Sequence, residues 1–275
     1  MASNKILTIQ DISCVGQCSL TVALPIISAC GIECAVLPSA VLSTHTAGFT
    51  GFTVRDLTDD IPAIAAHWRK ENIDFSAIYT GYLGSTRQID MVADIFDTLC
   101  PAGKKIVDPA MADNGNLYPA FDMAYVDAMK TLCGKADFLV PNITEACFLT
   151  GIAYRTEYDR AYIDSLLDGM LQLGAKNVIL TGVSYASGKT GVVVFENGVY
   201  AYYEHEKLPN SCHGTGDIYA SAFVGALMRG KSAYEAAKIA ADYTVAAIQA
   251  TAGDESHWYG AKFEPVLHKL IAALQ

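Results

Sequence analysis

The stretch Ser211-Cys212-His213-Gly214-Thr215-Gly216-Asp217-Ile218-Tyr219-Ala220-Ser221-Ala222-Phe223-Val224 decides how this chain is read. A Gly-x-Gly loop runs straight into an apolar helix, with one carboxylate at the junction. Glycine lets the backbone approach a ligand closely, and the first-turn N–H groups of a helix have no partner inside it. Such a terminus attracts anions, phosphate above all. A carboxylate there opposes simple phosphate holding. It fits a second task, taking a proton from a hydroxyl while the amides steady a phosphoryl group in transfer. The plainer alternative is that Asp217 caps the helix and complements its positive end.

Outward from that stretch, strand-like and helix-like runs alternate. Strands are expected at 6–10, 34–37, 77–81, 105–108, 138–141 and 177–181. Helices are expected at 18–30, 61–72, 87–99, 122–133 and 161–173, the last closed by Gly174, with a short one from Thr144 ending at Gly151. Ile89, Val92, Ile95, Phe96 and Leu99 share one helical face. Glu196-Asn197-Gly198, between apolar runs 191–195 and 199–205, signals a hairpin. Two Ala-rich helices come next, 218–229 and 233–251. The alternation predicts an α/β fold, a mainly parallel sheet with helices on both faces and an antiparallel hairpin at one edge. With no linker, low-complexity tract or internal repeat, one domain over 1–275 is expected. Ligands in such sheets bind beyond the carboxyl ends of the strands. Asp11, Gly81-Tyr82, Asp108, Asn142 and Thr181 fall there.

Composition narrows the function. The chain has 275 residues, 52% hydrophobic and 17% charged, which suits a large core. Its net charge of −10, with no Lys/Arg cluster, speaks against nucleic acid or an anionic membrane as partner. Phosphate would have to be held by backbone amides, a metal and a few local cations. The eight cysteines include two C-x3-C pairs, Cys14/Cys18 and Cys30/Cys34, without zinc-knuckle spacing or a matching His pair. Reduced, mostly buried thiols in a cytoplasmic protein are expected. The first eleven residues carry no signal-peptide h-region. The apolar run 22–42 is interrupted by Pro25, Gly31, Glu33 and Pro38, so a helix, a turn and a buried strand explain it better than a membrane span.

Several motifs fail. Gly182-Val183-Ser184-Tyr185-Ala186-Ser187-Gly188-Lys189-Thr190 imitates a P-loop, but its leading glycine is one residue too far from Gly188-Lys189-Thr190. Residues 191–195, directly after it, are strand-like rather than helical, so a turn between strands is expected. No Gly-x-Gly-x-x-Gly succeeds the first strand, and no Gly-x-Ser-x-Gly elbow supports a hydrolase.

Others survive. Asp108-Pro109-Ala110-Met111-Ala112-Asp113-Asn114-Gly115 places two carboxylates past a strand end. Asn142-Ile143-Thr144-Glu145 adds an amide and a third carboxylate at a helix start. Read alone, these are a turn and a capped helix N-terminus. Together with the Gly-Thr-Gly-Asp helix they point to metal-assisted phosphoryl transfer, because converging carboxylates repel unless a hard cation such as Mg2+ sits among them. The polar and aromatic loop Leu42-Ser43-Thr44-His45-Thr46-Ala47-Gly48-Phe49-Thr50-Gly51-Phe52 could close over a small substrate, or be ordinary surface.

These motifs resemble the pyridoxal kinases of the ribokinase-like superfamily almost end to end. The resemblance rests on Ile9-Gln10, the His45-Thr46 loop, Thr80-Gly81-Tyr82-Leu83-Gly84-Ser85, Asp108-Pro109-Ala110-Met111, Pro141-Asn142-Ile143-Thr144-Glu145 and Gly214-Thr215-Gly216-Asp217. It implies ATP-dependent phosphorylation of the 5′-hydroxymethyl group of pyridoxal, pyridoxine or pyridoxamine. It implies Asp217 as general base and Gly214, Thr215 and Gly216 as an anion hole. Asp113 and Glu145 would hold Mg2+, directly or through water. Asp108, Asn142, Glu145, Thr181 and Thr215 would serve ATP, and Asp11, Ser13, His45, Thr46 and Tyr82 the vitamer, with Asp217. A homodimer and a monovalent cation such as K+ are implied as well.

The chain departs from that pattern in places. Asp11 stands where many of these kinases carry Ser, with Ser13 nearby, and could pair with a protonated pyridine nitrogen or the amine of pyridoxamine. Asp-Pro-Ala-Met-Ala-Asp replaces the usual Asp-Pro-Val-Met-Gly-Asp. Cys212-His213 is similar to the hydroxymethylpyrimidine kinases, which often carry Cys at the position of Asp217. The alternatives are therefore a hydroxymethylpyrimidine or sugar kinase, or a non-catalytic pyridoxal-binding protein. Cys212 could also form a thiohemiacetal with the pyridoxal aldehyde.

Overall fold

A computed structural model describes residues 5–209 and 212–275. Ser211, which opens the decisive stretch, lies outside the described residues, as do the first four residues of the segment without a signal-peptide h-region. The chain begins one compact unit, leaves it after residue 61, builds a second over residues 62–207 and returns to the first from residue 208.

The first unit opens with β1 (Lys5–Ser13), α1 (Leu20–Ala29), β2 (Glu33–Leu42) and β3 (Val54–Asp56). β1 pairs in parallel with β2, and β3 lies antiparallel on β2. Successive residues of β1, Ile6, Leu7, Thr8, Ile9 and Gln10, are fully buried, as in a parallel strand covered on both faces. The strand runs three residues beyond the expected end because its polar tail stays in the ladder. That ladder slips there: Gln10 stands opposite Pro38 and Ile12 opposite Val41, so Asp11 alone faces two residues. Such a bulge re-aims a side chain. The apolar run 22–42 resolves into α1, a turn at Gly31 with φ +79°, and β2. No helix among the described residues is long and apolar enough to cross a membrane.

The second unit runs through α2 (Ile61–Lys70), β4 (Ala77–Thr80), α3 (Thr86–Leu99), β5 (Lys104–Val107), β6 (Ala112–Asp113), β7 (Asn116–Leu117), α4 (Met123–Cys133), β8 (Phe138–Leu139), α5 (Ile143–Thr150), α6 (Arg160–Gln172), β9 (Asn177–Val183), β10 (Lys189–Glu196) and β11 (Val199–Glu206). Strands β4, β5, β8 and β9 pair side by side in parallel, and β10 and β11 continue from β9 antiparallel. The edge hairpin and the parallel core are thus as the sequence implies. The imitation P-loop is the β9–β10 turn. Ile89, Val92, Ile95, Phe96 and Leu99 are buried on α3. Ser85, Asp122 and Asp159 cap α3, α4 and α6 by accepting first-turn N–H groups.

Back in the first unit come α7 (Thr215–Met228), α8 (Ala233–Thr251) and α9 (Leu267–Ala273). Every residue of α7 from Ile218 to Leu227 is buried. Gly225 permits this: a Cβ there would overlap the Cys30 Sγ at the end of α1. Phe223 is fully buried, and truncating such a ring to Ala costs about 3–5 kcal/mol. All eight thiols are unbridged. Cys30, Cys100, Cys133 and Cys147 are buried, Cys18, Cys34 and Cys212 half-buried, and Cys14 exposed, so only half are buried outright.

Candidate active site

The residues singled out in the sequence fall into two sets, one in each unit. In the first unit α7 begins at Thr215, three residues earlier than the apolar pattern suggests, and this puts Asp217 in its first turn. Gly214 is the N-cap at φ +75°, and a Cβ there would run into the Gln17 carbonyl oxygen. The N-cap therefore offers no side chain, and none caps the helix. The Thr215 hydroxyl donates backward to the Cys212 carbonyl at 3.3 Å. The alternative of Asp217 as a simple cap does not describe this geometry, because the cap position belongs to a glycine. Gly216 is exposed, with nothing within 4 Å of where a Cβ would stand. A bare helix start with open space beside it is a place for an anion.

Asp217 is half-buried, and the backbone N–H of Ser19 favours its charged form. Burial pushes its carboxyl up to about 7, against the pull of that N–H, and the charge of Asp11 pushes further. Asp11, at the bulge of β1, is 4% exposed. It accepts the Ser13 hydroxyl at 2.9 Å, and the hydroxyl of Ser19 favours its charged form. Burial raises its carboxyl, and both hydroxyls and nearby His45 oppose the rise. Ser19 is not legible as a site residue in the sequence, because it reads as part of an apolar helix.

His45 is buried, with both ring nitrogens occupied by backbone. Nδ1 accepts the Ala47 N–H at 3.2 Å, which leaves Nε2 to donate to the Tyr259 carbonyl at 2.6 Å. The ring thus ties the loop after β2 to the segment after α8. Phe49 packs 5.0 Å from His45 and 4.6 Å from Trp258, and His213 lies 5.6 Å from His45. Thr46 is exposed beside it. Burial, and then His45, lower the pKa of His213. Burial raises the Cys212 thiol, which keeps it protonated and a weak nucleophile.

In the second unit the carboxyl ends of adjacent strands carry the expected residues in order: Tyr82 after β4, Asp108 after β5, Asn142 after β8, and Thr181 on β9. Asn142 and Thr181 stand opposite each other in a parallel bridge, and the Thr181 N–H donates to the Pro141 carbonyl at 2.9 Å. Asp108 Oδ1 accepts the Ala110 N–H at 3.1 Å, turning the chain toward the β6–β7 hairpin. Asp113 in that hairpin is exposed, and Asn114 donates to both its oxygens, at 2.8 and 2.9 Å. Glu145 is 3% exposed and forms a capping box with Asn142. Its Oε1 accepts the Met111 N–H at 3.0 Å and its Oε2 the Asn142 N–H at 2.9 Å. Burial pushes Glu145 up to about 7 against these donors, with Asp113 adding to the rise. The Tyr82 ring leans on Phe121 at 5.3 Å. No group of three or more His, Cys, Asp or Glu side chains gathers as a metal cage among the described residues.

A carboxyl near neutrality at a bare helix start, within a mostly parallel α/β fold, is the arrangement of a small-molecule kinase. The model of the phosphomethylpyrimidine kinase family matches residues 24–264, and the chain belongs to that family. A Bacteroides thetaiotaomicron protein provisionally assigned as a phosphomethylpyrimidine kinase, crystallised in one form with pyridoxal, superimposes with a TM-score of 0.91. It is 40% identical, covering 97% of this chain and 95% of that one. The pyridoxal kinase of Lactobacillus plantarum is 31% identical with a TM-score of 0.90, covering 99% and 98%. The hydroxymethylpyrimidine/phosphomethylpyrimidine kinase of Bacillus subtilis (strain 168) is 26% identical over 220 residues, 78% of each chain.

Proposed function

We propose that this chain transfers the γ-phosphoryl group of ATP to the 5′-hydroxymethyl group of a vitamin B6 vitamer. The observation that carries the reading is Asp217: a carboxyl poised near pH 7 in the first turn of a helix whose cap is a glycine. A general base works best with a pKa near the working pH. The pyridoxal bound to the 40% identical relative favours a vitamer over a pyrimidine.

Magnesium-bound ATP supplies the electrophilic phosphorus and ADP as leaving group. Asp217 takes the proton of the substrate hydroxyl, whose oxygen bonds to phosphorus as the bond to the ADP oxygen breaks. The backbone amides of Gly214, Thr215 and Gly216 receive the phosphoryl oxygens as an anion hole and need no reorganisation to do so. The donor set suits magnesium, which takes one or two carboxylates and completes its shell with water and phosphate oxygens. Asp113 would be the exposed ligand and Glu145 the buried one, acting directly or through water. We assign Asp108, Asn142, Glu145, Thr181 and Thr215 to ATP, and Asp11, Ser13, His45, Thr46 and Tyr82 to the vitamer. For His45 the role is indirect, since its nitrogens are taken and it shapes the loop that carries Thr46. The resemblance to pyridoxal kinases supports a homodimer that uses a monovalent cation such as K+; the lack of linkers supports a single domain and the unpaired cysteines a cytoplasmic location.

A second reading, a hydroxymethylpyrimidine kinase, is favoured by Cys212-His213 and by the Bacillus subtilis relative. ATP-dependent phosphorylation of pyridoxal, pyridoxine, pyridoxamine and hydroxymethylpyrimidine, with and without magnesium, separates the two. Magnesium-dependent turnover of a vitamer is expected. Turnover of hydroxymethylpyrimidine alone would move the chain to the second reading, and no turnover at all would leave a pyridoxal-binding protein.

A further inference from the structure

We propose that Phe121 is a positioning residue that braces the ring of Tyr82 as a fixed flat wall for the aromatic ring of the substrate. Its bearing on the vitamer rests on the assignment of Tyr82 given above; the bracing itself rests on the contacts.

Phe121 stands immediately before Asp122, the N-cap of α4. An apolar residue at that position ordinarily packs down on its own helix and fixes the angle at which the chain enters it. Phe121 does so with one neighbour. Its ring stacks on Tyr125, in the first turn of α4, with centroids 3.8 Å apart and planes 13° from parallel. It also reaches outside its helix. The Tyr82 ring leans on it at 5.3 Å and 33°, within the range of a favourable aromatic pair. Tyr82 lies just past the end of β4, so a residue at a helix entrance braces one at a distant strand end. The approach to α4 is itself closed, because the Phe121 N–H donates to the Tyr118 carbonyl at 3.0 Å.

The main chain beside Tyr82 is tied to the same stack. Tyr125 is 3% exposed, and its hydroxyl donates to the Leu83 carbonyl at 2.8 Å. Its N–H donates in turn to Asp122 Oδ1 at 3.0 Å. Past Leu83 the Gly84 N–H donates to Gln88 Oε1 at 2.7 Å, and Ser85 caps α3. One base, Tyr125, therefore grips the backbone next to Tyr82 through its hydroxyl and the Tyr82 ring through Phe121. A side chain held in this way has lost its rotamer freedom before a substrate arrives. Stacking a flat ring on it then costs no further ordering, which is how preorganisation raises affinity. Phe121 supplies no group to the proton transfer or to phosphate, so its loss falls on the seat of the ring and not on the chemical step.

The test compares Phe121→Leu, Phe121→Tyr and Tyr82→Leu in the whole enzyme. Phe121→Leu keeps apolar bulk and removes the ring. The KM for the vitamer should rise roughly three- to tenfold, the scale of one aromatic pair, with kcat and the KM for ATP within about twofold of wild type. Phe121→Tyr, which restores a ring at a half-buried position, should bring the vitamer KM back to that of the wild type. In the Tyr82→Leu background Phe121→Leu should add nothing further. A substrate-free readout is the 13C-NMR spectrum of the whole protein labelled at tyrosine, with Tyr82 assigned by its loss in Tyr82→Leu. The Tyr82 ring signals should shift in Phe121→Leu, because the ring beside them is gone. If Phe121→Leu does not fold, Tyr125→Phe keeps the stack and drops only the bond to Leu83; it should move the same signals and raise the vitamer KM. Unmoved Tyr82 signals, or KM effects of Phe121→Leu and Tyr82→Leu that multiply when combined, overturn the bracing. An unchanged vitamer KM in Tyr82→Leu would instead refute the assignment of Tyr82 to the vitamer, and the Tyr82 signals would still decide the bracing.

Discussion

Glu145 accepts the N–H of Met111 at 3.0 Å, so a carboxylate in the first turn of α5 holds the loop that comes after β5. Its second oxygen closes the capping box with Asn142, whose amide also donates to the Ala112 carbonyl at 2.9 Å. Burial raises Glu145 from 4.5 to about 7. The folded state then binds this proton more tightly than the unfolded chain. The stabilisation is fully present below about pH 4.5 and is lost as pH rises through about 7. Asp217, raised from 3.8 to about 7, adds a slope of the same sign. Denaturant unfolding of the ligand-free protein should show stability falling across that window, and Glu145→Gln should flatten the fall. A wild-type curve that rises instead would contradict the ionisation assigned here. Asn142→Ala, which removes a cap and a loop tether, should cost about 1–2 kcal/mol at any pH.

Asp217→Asn keeps the size of the side chain and removes the base. Turnover should drop by about two to four orders of magnitude, the usual scale for a lost general base, while ATP affinity stays within a few-fold. In the wild type kcat/KM should rise with pH through about 7, because the carboxyl must be ionised to accept the hydroxyl proton. Steady-state rates across pH check both; a flat profile between pH 6 and 8 would remove Asp217 from the proton transfer.

The sequence reaches much of this site because its signals are local. Strand ends, cap residues and Gly-Thr-Gly-Asp all act within a few residues, and they place Asp108, Asn142, Thr181 and Asp217 within three residues of the element ends where the structure has them. Three very short strands escape: β3 and the β6–β7 hairpin, unlike the equally short β8, carry no apolar run that marks them. So does α9, whose few apolar positions do not stand out. Contacts between distant segments escape for another reason. Nothing near His45 announces Tyr259, 214 residues away. The raised carboxyls are a product of burial, which no pattern of neighbours encodes. Half of the cysteines are less buried than expected, because small thiols fit partly open positions as well as closed ones.

The two glycines of the loop should respond differently to the same substitution. Gly214→Ala places a Cβ against the Gln17 carbonyl at a backbone of φ +75°, so the start of α7 must move. A left-handed non-glycine residue costs about 1–3 kcal/mol before any clash is counted. Gly216→Ala meets open space and a helical backbone, and should cost little stability. If Gly216 faces the phosphoryl group, its alanine variant loses turnover while its melting temperature holds. Thermal melts beside kcat for both variants distinguish a glycine needed for the fold from one needed for the ligand.

Gly16 stands against His45 in the same way, with φ +119° and a would-be Cβ overlapping the ring. The ring has no room to yield, because Nε2 donates to the Tyr259 carbonyl and Nδ1 accepts from Ala47. Gly16→Ala should therefore shift the whole loop that carries Thr46 and Phe49, not His45 alone. Phe49 packs on Trp258, which is half exposed, so the shift should change the emission of that tryptophan. The KM for the vitamer should rise roughly tenfold, equivalent to about 1.4 kcal/mol of binding, with the KM for ATP little changed. His45→Phe, which keeps an aromatic ring but neither hydrogen bond, should reproduce the KM effect without the backbone strain of Gly16→Ala. Equal rises in both KM values would mean that this loop governs folding of the unit and not the seat of the vitamer.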